Sequence, residues 1–185
     1  MNSDYLPGGI AAILLAILFP TYWLIEIGWF VQSGEIRAQL GVLDLVYVTV
    51  GGLAAFVFFS LKRFLNDRFA YHGADLILTV LVGLAIGSYL LTWTLGYLEF
   101  EYAFSALFIG SLIAFGALDI MLGIWLIRAK EELSGGLKAF AVFSLVLGFC
   151  EITVVLSLGA IVIYPIYLVI LAVVFLRQPE ELQIV

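Results

Sequence analysis

Three carboxylates stand inside long apolar runs: Glu26 in TYWLIEIGWF, Asp119 in SLIAFGALDIMLGIWLI and Glu151 in FSLVLGFCEITVVLSL. An acid at the centre of a bilayer costs about 2.5–3.5 kcal/mol on insertion scales, so it is expected to face the protein interior or a subunit interface. What it does there depends on what neutralises it. A proton makes it a structural hydrogen-bonding group or a proton carrier. A bound cation makes it a transport site, and a basic group from another subunit makes it an assembly contact. No basic partner is available within the spans, because each of the eight Lys and Arg falls in a loop or at the end of an apolar run. Asp119 and Glu151 are therefore the first candidates for ion or proton handling, or for interhelical polar contacts. Glu26 is the third.

Other chemistries are poorly supplied. Cys150 and Glu151 suggest a nucleophile beside a base, but neighbours on a helix point about 100° apart and do not face each other. Cys150 is the single cysteine and His72 the single histidine, which leaves no internal disulfide, no cysteine-rich metal site and no bis-histidine haem. The net charge of −6, with no basic stripe, argues against nucleic acid. There is no P-loop, dinucleotide fingerprint, metal-ligand spacing or transporter signature. Neither an enzyme nor a cofactor or metal is expected.

The elements that must position the acids follow from hydropathy. Of 185 residues, 64% are hydrophobic and 12% charged, against about a quarter charged in soluble domains. The expected fold is all-α, one polytopic membrane domain over residues 1–185. At ~20 apolar residues per crossing, six spans are expected, over about 9–31, 43–62, 74–97, 103–127, 138–157 and 159–177. The last two are divided only at 157–160, but one helix of that combined length would run about 60 Å, twice the hydrocarbon core. The segment MNSDYLPGG lacks Lys and Arg, so the first span is expected to be retained rather than cleaved. Lys62, Arg63, Arg68, Arg128, Lys130, Lys138 and Arg177 fall on one side and Arg37 alone on the other. The positive-inside rule then predicts both termini in the cytoplasm.

Local patterns refine this picture. Gly83 and Gly87 form a G-xxx-G pair on the third span, Gly116 and Gly123 share a stripe with Asp119, and Gly148 shares one with Glu151. Such stripes permit close helix packing. Tyr22, Trp23, Trp29 and Phe30 gather around Glu26 after Pro20, which is expected to kink the first span. They suit an interfacial aromatic belt, or a pocket for an organic cation. In the 2–3 connection, Phe64, Leu65 and Phe69 are expected to dip into the interface while Lys62, Arg63 and Arg68 meet anionic lipid headgroups.

Two functional classes come out of the sequence. The first is a structural or accessory subunit of a membrane complex, its acids satisfied by helix or subunit contacts, with a homo-oligomer or a membrane partner. The alternative is a small proton- or cation-coupled transporter or channel that uses Asp119 and Glu151, with Glu26, as an intramembrane relay. The expected location is a prokaryotic cytoplasmic (inner) membrane.

Overall fold

Long apolar stretches without water to pair their amides must close their hydrogen bonds locally, and the chain does this as helices. A computed structural model describes residues 3–33, 42–98, 100–129, 133–153 and 156–177. A short 3₁₀ turn at Ser3–Tyr5 precedes α1 (Leu6–Ser33), α2 (Val42–Phe69), α3 (Asp75–Tyr97), α4 (Glu101–Ile127), α5 (Gly135–Ile152) and α6 (Ser157–Leu176). All six are long and apolar enough to cross a membrane, and the described residues include no strand. Arg37, Lys130, Glu99 and the side chain of Phe30 lie outside the described residues.

Each helix packs on its neighbour in sequence, and α1 also packs on α6, so the six close into a ring. The sequence of α1 suits its place between α2 and α6. Gly8, Gly9, Ala11, Ala12 and Ala16 form its buried side. A β-carbon on Gly8 would lie 2.9 Å from Ser60 Cβ of α2, and one on Gly9 would lie 2.8 Å from Leu176 of α6. Large aliphatic side chains such as Ile17, Leu24, Val162 and Val169 face outward, where lipid rather than water is their solvent. Helix α1 passes Pro20 without interruption.

The end of the bundle that holds the first and last helical residues is also its basic end. Among the described residues Lys62, Arg63, Arg68, Arg128, Lys138 and Arg177 all lie there. The connection expected after residue 62 is instead helix, because α2 continues to Phe69. Phe64 and Leu65 do not dip toward lipid headgroups; they are 4% and 1% exposed and seal this end of the bundle. Phe64 meets Tyr5 at 5.1 Å and Phe175 at 5.5 Å between ring centroids. Tyr5 donates its hydroxyl to Asp67 Oδ2 at 2.7 Å, and Arg68 lies over its ring. Helix α2 ends at Ala70, whose φ of 49° is in the left-handed region. Beyond it, the Tyr71 hydroxyl donates to the Trp125 carbonyl in the last turn of α4, one of the carbonyls a helix end leaves without a partner.

The tightest packing is between α4 and α5. A β-carbon on Gly116 would lie 2.7 Å from the Gly148 carbonyl, a β-carbon on Gly148 would meet the Gly116 carbonyl, and one on Gly123 would lie 2.7 Å from the Ala141 carbonyl. The expectation for Gly83 and Gly87 is not met: a β-carbon at either would find nothing within 4 Å, so this pair packs against no described part of the chain. Spacing alone does not tell which face of α3 points inward. Residues Leu78, Leu81, Ala85, Ser88 and Thr92 take that face, and the glycines fall beside it.

The α4–α5 crossing also fixes how far α5 reaches. From Gly116, α4 runs 15 residues to its start at Glu101, while Ile152, at the end of α5, lies against Gly116 itself. The end of α5 is therefore about 20 Å short of that end of α4, at 1.5 Å per residue. The α5–α6 turn expected at 157–160 falls earlier, between Ile152 and Ser157. The hairpin is therefore short, and its tip is sunk below the far end of α3 and α4.

Two predictions follow from this packing. Gly148→Ala is expected to lower unfolding stability in detergent by about 2 kcal/mol or more, because its methyl meets backbone that cannot yield. Gly83→Ala is expected to be neutral or slightly stabilising. Tyr5, shielded from water and bonded to Asp67, has its phenol pushed up from 10.0 to about 12. The neutral phenol is the form the fold favours. Its contribution is therefore complete below about pH 10 and lost as pH rises through about 12. Alkaline unfolding of Tyr5→Phe should lack this component.

Candidate functional site

Asp119 lies on α4, one turn from Gly116 and from Gly123, so the stripe that brings α4 against α5 also turns Asp119 inward. It is 2% exposed. Its Oδ1 accepts from the Tyr167 hydroxyl of α6 at 3.5 Å, a long bond across the bundle. Tyr167 lies beside Ser144 of α5 and packs on Phe140 at 4.4 Å. Ser144 returns its own hydroxyl to the Phe140 carbonyl. Asp119 is therefore held by side chains of this chain, on three helices, rather than offered on the outside of the bundle.

Glu151 is 8% exposed and sits one residue before the end of α5. A β-carbon on Gly116 would lie 3.0 Å from Glu151 Cβ, so Glu151 stands nearly level with Gly116, three to four residues from Asp119, or about 5 Å along the axis. The two carboxylates are close enough to interact electrostatically. Both also interact with the Tyr164 and Tyr167 hydroxyls, and Glu151 with that of Tyr89 as well. Glu151 Oε2 is buried without a hydrogen-bond partner. A buried unpaired oxygen is expensive, by about 1–3 kcal/mol and more if charged, which makes it the least satisfied atom of the pair.

Around the acids runs a belt of rings. Tyr89 packs on Tyr47 at 4.6 Å, Tyr47 on Tyr22 at 5.2 Å, Trp23 on Phe108 at 5.5 Å and Phe19 on Tyr164 at 4.5 Å. Of these tyrosines only Tyr22 stood out in the sequence, where Tyr is an ordinary interfacial residue. The available signal was Tyr164-Pro165-Ile166-Tyr167, which puts two hydroxyls on nearly the same face of a span without charge.

The residues gathered around Glu26 do not form one pocket. Tyr22 and Trp23 turn toward the aromatic belt. Glu26 and Trp29 instead line a cleft of about 250 Å³ with Leu24, Gln32 and Leu43, toward the far end. Glu26 is half-buried there, apart from the pair formed by Asp119 and Glu151. At the basic end Lys62 donates to Thr79 Oγ1 at 2.9 Å and His72 Nδ1 lies 3.2 Å from Asp75. Among the described residues no group of three or more His, Cys, Asp or Glu side chains is placed to hold a metal ion.

Tyr167→Phe is expected to lower unfolding stability by about 1 kcal/mol, since it leaves Asp119 without its donor while keeping the ring. A titration of stability against denaturant measures this directly.

Family models, curated proteins and solved structures were all compared with the chain, and none matches it. The functional reading therefore rests on the side chains themselves.

Proposed function

We propose that this integral membrane protein handles protons or a small cation, with Asp119 and Glu151 as two stations staggered along the bundle axis. The observation that carries the reading is Glu151 Oε2, buried in the chain's own interior and lacking a partner. An acid kept only to join helices should have its oxygens satisfied, because an unsatisfied one weakens the fold it is meant to hold. An oxygen with an open position suits a partner that comes and goes. Every Lys and Arg among the described residues lies toward the basic end of the bundle, and none stands beside Glu151 as a fixed counter-ion. The stagger of about 5 Å along the axis is a distance that a tyrosine hydroxyl or a single water can bridge. Glu26 lines a cleft toward the far end.

The basic end supports an orientation with both termini in the cytoplasm, by the positive-inside rule. The prokaryotic inner membrane is the compartment to which that rule applies here. Arg63 and Arg128, both exposed at that end, suit anionic headgroups.

One observation favours the accessory-subunit reading as a second possibility. Because α5 stops short, the far half of α4 is left uncovered, with Tyr102, Ile109 and Ile113 facing outward. A partner helix fits that face as well as lipid does.

In proteoliposomes, Asp119→Asn and Glu151→Gln should each lower pH-gradient-driven proton flux by on the order of tenfold or more while leaving the particle size unchanged. Unchanged flux in both variants would sink the transport reading. Recovery of a stoichiometric partner in mild detergent, with no flux from the isolated chain, would favour the subunit.

A further inference from the structure

Serines and threonines inside apolar helices ordinarily return their hydroxyl to the carbonyl four residues back. This chain follows the rule repeatedly: Thr49 bonds Leu45, Ser60 bonds Phe56, Thr79 bonds Asp75, Thr94 bonds Leu90 and Ser144 bonds Phe140, at 2.7–3.1 Å. Ser88 and Thr92 of α3 break it. They are 6% and 2% exposed, and neither hydroxyl oxygen has a hydrogen-bond partner. Both lie on the face of α3 that points into the bundle, one turn apart.

Their height in the bundle follows on from that of Glu151. Gly96 of α3 lies against Phe104 of α4, with a β-carbon 3.6 Å from the ring. Eight residues down from that contact on each helix, Ser88 is level with Leu112. Glu151 and Ile152 meet Gly116, four residues deeper than Leu112, so Ser88 stands about 6 Å nearer the far end than Glu151, and Thr92 one turn beyond Ser88. Tyr89, next to Ser88, interacts electrostatically with Glu151 and packs on Tyr47. The Tyr47 hydroxyl approaches Thr92 without closing a bond of ordinary geometry. Three unpartnered buried oxygens, Glu151 Oε2, Ser88 Oγ and Thr92 Oγ1, thus succeed one another at steps of about one turn toward the far end. Residues one turn apart stand about 5–6 Å from each other, close to twice a ~2.8 Å hydrogen bond, which is the span a single water bridges. Buried water is typically found where two to four polar groups lack partners.

We propose that Ser88, Thr92 and Glu151 enclose a small buried pocket of water, under a cover of Tyr47 and Tyr89, through which protons reach Glu151 from the far end of the bundle. The short α5–α6 hairpin is what makes this possible. Helix α5 ends about 20 Å below the far end of α4, so the route from Glu151 to that side is a fraction of the membrane. The pocket rests on the proton-handling reading for its purpose but not for its existence.

Pulsed-radiolysis labelling tests the pocket on the unaltered protein, because hydroxyl radicals formed from bound water oxidise the side chains that touch it. Tyr47 and Tyr89 should be oxidised severalfold faster than Phe140 and Phe175, which are fully buried. Ser88→Ala combined with Thr92→Val should bring that rate down to the level of the two phenylalanines and slow proton flux severalfold. Labelling of Tyr47 and Tyr89 no faster than of Phe175 in the unaltered chain would overturn the pocket, whatever the flux. Fast labelling with flux insensitive to Asp119→Asn and Glu151→Gln would keep the pocket and remove the transport reading. Fast labelling unchanged by the double substitution would show that Ser88 and Thr92 do not hold the water, and would overturn the proposal as stated.

Discussion

The crossing of α4 on α5 at Gly116 and Gly148 is the constraint on which the other features depend. In lipid there is little hydrophobic gain from bringing two apolar helices together, so association rests on close packing and polar contacts. Two facing glycines let the backbones approach until each carbonyl occupies the space a neighbouring β-carbon would need. A register set by backbone is stiff, since neither partner can relax by changing a rotamer. That register decides the depth of Asp119, the depth of Glu151, the stagger of about 5 Å between them, and the depth at which α5 ends.

Polarity inside the ring is spread unevenly. Toward the basic end the interior is aliphatic and aromatic, with Leu61, Leu65, Leu126, Leu137 and Phe175 almost wholly enclosed. Farther along come Asp119 with Tyr167, then Glu151 with Tyr89 and Tyr164, then Ser88 and Thr92. A mainly apolar plug, broken by the buried and unpaired Asn66 Oδ1, is thus followed by hydroxyls and carboxylates that continue toward the far end. Such an asymmetry makes one face of the membrane electrically nearer to Glu151 than the other.

Much of this was legible in the sequence, for identifiable reasons. Six spans follow from length and hydropathy because lipid allows few other solutions. That Asp119 and Glu151 turn inward follows from Gly116, Gly123 and Gly148 on their stripes. What escaped was whatever depends on more than one helix. Gly83 and Gly87 have the same spacing as a packing pair, but the inward face of α3 was set by Leu81, Ala85 and Ser88. Phe64 and Leu65 looked interfacial beside Lys62 and Arg63, until the extension of α2 to Phe69 put them on the buried side. The tyrosines around the acids carry no mark in a chain where Tyr is common at interfaces. The unbonded hydroxyls of Ser88 and Thr92 have no counterpart in residue type at all.

The contact between α1 and α6 has a consequence for how the molecule is made. A nascent chain enters the membrane from its first residues onward, and every other contact in the ring joins helices adjacent in sequence, which can pair as soon as the second emerges. The seam between α1 and α6 cannot. Gly9 must wait for Leu176, and Tyr5 for Phe175, across nearly the whole chain. Until α6 arrives, the glycine- and alanine-rich face of α1 stands open in the bilayer, able to accept any other small-faced helix. The sixth helix is therefore the one that protects the first, and an interruption of synthesis before residue 157 leaves a product with an adhesive edge.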